Sequence, residues 1–242
     1  MVRSTPPIPA QHLSESERIK VQMTSPELRD SVWGFVVYRC TGRNETAWQR
    51  MIAHINDTGG RISIIRGRKH GRASSENLRT NRIYDCSGAT HHDVRDYFLQ
   101  WVPKDLQSRL SKNSKAGVKD LEMLGVADCP RYECCILIDD LCMESLDYPR
   151  FNSPVFKLVW RKWGPATQDE RQAPIHPDFH DGQTEYLEED VGWMYMPVRY
   201  YIDIYDRLGH MDWEDVYVRP PYILGNETED SFPGHWRRNI KR

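Results

Sequence analysis

The sequence predicts an α+β fold: a mixed or mostly antiparallel sheet with helices packed on one face, a ferredoxin-like layout. Three observations predict it. Cys134-Cys135-Ile136-Leu137-Ile138 is the densest apolar run in the chain, closed by Asp139-Asp140. A run of that length ending in turn formers reads as a strand buried on both faces. Val155 to Trp160 follows as a neighbouring strand, and two stretches with helical apolar spacing stand before this pair. The order of elements is not the regular alternation that builds a doubly wound sheet.

Residues 1–28 are rich in Pro, Ser and Glu without an apolar period, which predicts a mobile arm. Pro6-Pro7-Ile8-Pro9 within it can present a short polyproline turn to a partner. The first strand is expected over residues 32–40, β-branched and aromatic throughout. A helix capped by Asn44 follows, with Trp48, Met51, Ile52 and Ile55 as its apolar stripe, and Gly59-Gly60 is expected to end it. Residues 61–65 read as a short strand leading into a basic loop over 61–85.

Thr90 opens the second helix, whose inner side carries Val94, Tyr97, Phe98, Trp101 and Val102. Pro103 is expected to start a separate turn or two up to Leu110. A polar linker over 111–129 contains a short apolar segment at 120–124. After the central strands come an acidic loop over 164–190, a last strand near 192–196 and a helix over 198–208. The expected organisation is therefore an arm (1–28), one domain (29–223) and a tail (224–242).

With 242 residues the chain is long enough for one substantial core. Its apolar fraction of 39% is low, but eight Trp and twelve Tyr compensate by the area each buries. The formal net charge of -2 excludes a globally basic nucleic-acid binder. Beneath that balance lies a basic block, Arg61 to Arg82, and an acidic one, Asp169 to Asp190. Both read equally as solvated loops. No apolar stretch is long enough to span a bilayer, and the N-terminus lacks a secretory h-region. A cytoplasmic protein with reduced cysteines is the expectation.

Chemistry could reside at several places. Asp139 and Asp140 stand where an apolar strand delivers carboxylates, although such a pair is ordinarily a turn or helix cap. Cys86 precedes a helix N-terminus, a setting that depresses a thiol pKa. His91 lies in the first turn of that helix, where its imidazole could act in proton transfer. These four are the candidate catalytic residues. His176, Asp178 and His180 are a weak metal candidate, with ligand types suited to Zn²⁺ or Fe²⁺ but no recognised spacing. No phosphate-binding Gly-Lys loop and no nucleophile-elbow serine occurs, and no cofactor is expected.

Trp33, Tyr38, Trp160, Trp193 and Tyr195 are candidate walls of a small-molecule pocket, unless they are simply core. Arg66, Arg68, Lys69 and Arg72 suit a phosphate backbone, and folded RNA fits such a stripe better than sequence-specific DNA.

Three segments carry a resemblance: Trp33-Gly34-Phe35 running to Tyr38-Arg39, Val94 to Val102, and Gly192-Trp193-Met194 with Arg219-Pro220-Pro221. Over residues 32–223 the chain resembles a family of intracellular proteins of filamentous fungi, in which a W-G-F-x-x-Y-R strand opens the domain and an R-P-P element closes it. The resemblance implies a place in small-molecule, natural-product metabolism. By analogy of context alone it extends to the fungal arginine-containing cyclodipeptide synthases, transferases that use aminoacyl-tRNA. The readings are thus an enzyme of small-molecule metabolism, a tRNA-dependent transferase, or a non-catalytic interaction module docking through the arm and Arg219-Pro220-Pro221.

Overall fold

The computed structural model describes residues 33–42, 44–66, 83–109, 129–148, 153–164 and 190–225, with backbone alone at 59–66 and 83. The arm, most of the basic loop, the linker segment at 120–124, the acidic loop and the tail lie outside the described residues.

Five strands form one mixed sheet, β1 (Val36–Arg39), β2 (Ile83–Asp85), β3 (Cys134–Ile138), β4 (Val155–Trp160) and β5 (Trp193–Pro197), in the order β2-β1-β3-β4-β5. The α+β class read from the sequence holds. β1 runs parallel to both its neighbours, with Arg39 level with Asp85 on one side and Ile138 on the other. β3–β4 and β4–β5 are antiparallel.

Side chains alternate across β3 as a doubly buried strand requires. Cys134, Ile136 and Ile138 join one core with Val37, Phe156 and Met194. Cys135 and Leu137 join a second with Val36, Tyr38 and Val159. Helix α1 (Glu45–Arg66) closes the first core with Trp48, Met51 and Ile55. Helix α2 (His91–Arg109) closes the second with Val94, Phe98, Trp101 and Leu106.

Helices on one face was therefore the wrong layering. β1 connects outward to β2 through α1, and β2 connects back past β1 to β3 through α2. Two right-handed crossovers in opposite directions must lie on opposite faces of the sheet. The N-terminal half is thus a small doubly wound unit, to which β4 and β5 add an antiparallel extension.

Three local expectations change with it. The Gly59-Gly60 pair does not end α1, and 61–65 is helix rather than strand. Glycine costs a helix about 1 kcal/mol per position and does not forbid it. The true second strand is the three-residue β2, too short to show a period. Pro103 sits inside one continuous α2. Its residue and Leu99, whose carbonyl loses a partner, are both exposed, so water can satisfy the carbonyl.

Caps follow the sequence closely. The Asn44 side chain accepts the Thr46 N–H at 3.0 Å. Thr90 and Asp93 form a reciprocal capping box: the Asp93 N–H donates to the Thr90 hydroxyl at 3.2 Å, and the Thr90 N–H donates to the Asp93 carboxylate at 2.9 Å. Short turns complete the chain: α3 (Pro130–Glu133), α4 (Asp140–Glu144), α5 (Tyr201–Arg207) and α6 (Trp213–Val216). α5 packs Tyr201, Ile204 and Tyr205 into the first core. Among the described residues no helix is long and apolar enough to cross a membrane.

Candidate functional site

In an open sheet whose parallel strands wind outward in two directions, the carboxyl ends of the two strands at the reversal point splay apart. Here those strands are β1 and β3. β1 runs out into Cys40-Thr41 and β3 into Asp139-Asp140, and the register puts these pairs side by side, with the Cys40 N–H donating to the Ile138 carbonyl at 2.8 Å.

Asp139 keeps extended backbone and caps α4, accepting the Cys142 N–H at 3.0 Å. The cap reading and the delivered-carboxylate reading are therefore both true of it. Its other oxygen accepts from the Lys157 ammonium at 2.7 Å. Burial alone would raise the Asp139 carboxyl, but Lys157 and the Cys142 N–H outweigh it and hold the group below the usual carboxylate range. Asp140, the next residue, accepts from the hydroxyl of the buried Thr41.

Lys157 comes up from β4, where it is the one charged residue of an apolar strand. It is 3% exposed, and its ammonium stands 4.7 Å from the Trp193 ring and 5.6 Å from that of Tyr195. At the same end of β1, Arg39 donates to Glu45 at 2.8 Å and to the Thr41 carbonyl at 3.2 Å, with its guanidinium 4.8 Å over Trp48. Hydrogen bonds from Gln49 and then Arg39 lower the Glu45 carboxyl.

The four residues suggested for catalysis do not form one cluster. Asp139 and Asp140 are adjacent and half-buried. His91 is buried, its ring 4.3 Å from His92 and 5.8 Å from Trp193, toward the start of β5. Cys86 lies at the end of β2, its N–H donating to the Arg39 carbonyl at 2.7 Å. The expectation of an acidified thiol fails. Burial first, then Asp85 and Asp93, push the Cys86 thiol up, and the buried Cys40 thiol is raised by burial and by Cys86.

The five aromatics proposed as pocket walls do not share a hollow. Trp33 and Trp160 belong to the first core, Tyr38, Trp193 and Tyr195 to the second, across the sheet. Trp160 stacks on Trp213 at 5.5 Å, and the other four are buried. Strand alternation makes the split inevitable, because Trp160 and Trp193 occupy positions of opposite parity.

A groove of about 800 Å³ opens elsewhere, between α5 and the segment after α6. Tyr200, Asp203, Arg207, Tyr217, Arg219 and Tyr222 are among its walls.

The metal candidate His176, Asp178 and His180 lies outside the described residues, as do Arg68, Lys69 and Arg72, and the side chain of Arg66, which closes α1. Among the described residues no group of three or more His, Cys, Asp or Glu is arranged to hold a metal ion. Sequence reading missed Lys157 and Thr41. A lysine in a strand buried on both faces requires an acidic partner, and Asp139 and Asp140 close the neighbouring strand. That signal was available; nothing in the sequence marked Thr41.

No known protein family, curated protein or solved structure matches this chain.

Proposed function

We propose that the chain is an enzyme of small-molecule metabolism whose substrate is held at the carboxyl edge of β1 and β3. The observation that carries this reading is the carboxylate pair Asp139-Asp140 at the winding reversal, with Lys157 fixed beneath it. In this reading Asp140 meets the substrate and takes a proton from a substrate O–H or N–H. Thr41 orients Asp140, and the Lys157–Asp139 ion pair is a positioning element that fixes the end of β3 beside it.

The test is an untargeted comparison of small-molecule extracts from a clean host expressing the wild type or Asp140→Asn. A metabolite that appears with the wild type and falls at least 100-fold with the variant supports the reading. A folded wild-type chain that changes nothing in the extract overturns it.

A tRNA-dependent transferase remains the second reading, supported by the charge block Arg61 to Arg82 in the sequence. It requires nucleic acid that co-purifies at low salt and is released at high salt.

A further inference from the structure

The ends of β1 and β2 bring two thiols face to face. Arg39 and Asp85 are the last register pair of these parallel strands. The pairing continues past them, with the Cys86 N–H donating to the Arg39 carbonyl at 2.7 Å, so Cys40 and Cys86 stand opposite each other next. Side chains alternate along a strand, so this pair shares a face with the register pair two residues back, Tyr38 and Tyr84. Those two rings meet on that face, stacked at 5.4 Å, and Cys40 and Cys86 pack against the same core as Tyr38.

Neighbouring strands run about 4.8 Å apart, inside the Cα span of about 4.4–6.8 Å that a disulfide bridges. The other four cysteines are placed differently. Cys134 faces Trp160, Cys135 faces Val36 and Val159, and the Cys142 thiol donates to the Leu137 carbonyl at 3.8 Å. Cys129 stands at the N-cap of α3. Cys86 is half-buried and Cys40 buried, so a dissolved oxidant meets Cys86 first. Burial raises both thiols, and Cys86 raises Cys40 further, which makes the first attack slow at neutral pH. The second attack is intramolecular and needs no encounter.

We propose that Cys40 and Cys86 are a reversible dithiol–disulfide pair, oxidised by low-molecular-weight disulfides such as oxidised glutathione. In the first step the Cys86 sulfur bonds to one sulfur of the oxidant, and the other leaves as a thiolate. In the second the Cys40 sulfur bonds to the Cys86 sulfur and expels the remaining glutathione thiolate. Each departing thiolate takes up one of the two cysteine protons, so the protein loses two electrons and the oxidant becomes two thiols. Facing Cβ atoms on parallel strands stand about a strand spacing apart, wider than the mean of about 3.8 Å in disulfides. The bond is therefore strained, and excess thiol returns it to the dithiol. The inference needs no substrate at the carboxyl edge, although the bond closes directly before Thr41.

The test treats the folded full chain with excess oxidised glutathione at mildly alkaline pH and blocks the remaining thiols with N-ethylmaleimide. An unreduced tryptic digest is then mapped by mass spectrometry. Peptides 40–43 and 83–95 each carry one cysteine. They are expected as a linked pair, about 10-fold or more above any other cysteine pairing, and the link is lost after dithiothreitol. In Cys40→Ser the Cys86 peptide should instead retain glutathione, about 10-fold or more above its level in wild type. A wild-type digest in which Cys86 stays unmodified, keeps its glutathione or pairs with another cysteine overturns the proposal. So does a linked pair that forms equally well in concentrated urea, because the strand register then plays no part.

Discussion

Lys157 is the residue on which the carboxyl edge depends most. A buried ammonium between two aromatic rings is tolerated because Asp139 stands 2.7 Å away, and removal of either partner strands the other. Lys157→Met should therefore lower the unfolding free energy at pH 7 by about 3 kcal/mol, measured by urea titration. The pH dependence has a definite sign. The Asp139 carboxyl is held below its unfolded value, so its stabilisation is complete above about pH 4 and disappears as the pH falls through the folded value. In Lys157→Met that acid-dependent loss should be smaller than in wild type. An equal loss would show that the lysine does not hold the carboxyl down.

The thiols make a second prediction at this scale. Cys86 and Cys129 are the two cysteines not fully buried, and burial pushes the thiol of Cys86 up and that of Cys129 to about 11. Iodoacetamide should alkylate these two before Cys40, Cys134, Cys135 and Cys142. Both should react more slowly at pH 7.5 than a free thiol and accelerate as the pH rises. Rapid modification of Cys86 at neutral pH, followed by mass spectrometry of its peptide, would restore it as a nucleophile.

At the scale of elements, the capping box of α2 and the turn before β5 carry the specific tests. Thr90→Ala removes the acceptor for the Asp93 N–H and should cost about 1 kcal/mol. Gly192 precedes β5 with a φ of 71°, and a Cβ there would stand 2.3 Å from the Trp163 ring. That ring cannot retreat freely, because its N–H donates to the Asp190 carbonyl at 2.6 Å and the Arg95 guanidinium lies 4.5 Å over it. Gly192→Ala should destabilise the chain by more than the 1 kcal/mol of an ordinary glycine substitution, with a shift in tryptophan emission reporting the displaced ring.

What the sequence made legible at this scale follows from the strength of each local signal. β3 was clear because five consecutive apolar residues between a proline-led turn and two aspartates allow little else. Asn44 and Thr90 were clear because a cap depends on neighbours two or three residues away. β2 was invisible, since three residues carry no period, and without it the first parallel crossover could not be seen. Gly59-Gly60 misled because helix propensity is a weak prior that flanking turns can override.

At the scale of the whole molecule, the handedness of two crossovers decides where a site can form. Once β2 is placed outside β1, α1 and α2 must take opposite faces, and the reversal point falls between the ends of β1 and β3. Asp139 and Asp140 could be nominated from sequence as carboxylates at a strand end, and Lys157 as a buried cation in need of an acid, but only topology brings Thr41 to them. The aromatic pocket was misjudged for the same reason: spacing along the chain says nothing about which side of a sheet a ring occupies until the register is known.

The most direct test of the carboxyl-edge site is a crystallographic screen in which the full chain is soaked with a diverse library of small polar molecules. Bound fragments are expected to concentrate against Thr41, Asp139 and Asp140, and to disappear from that place in Asp140→Ala crystals. Fragments that avoid this edge in the wild type and gather elsewhere would contradict the account.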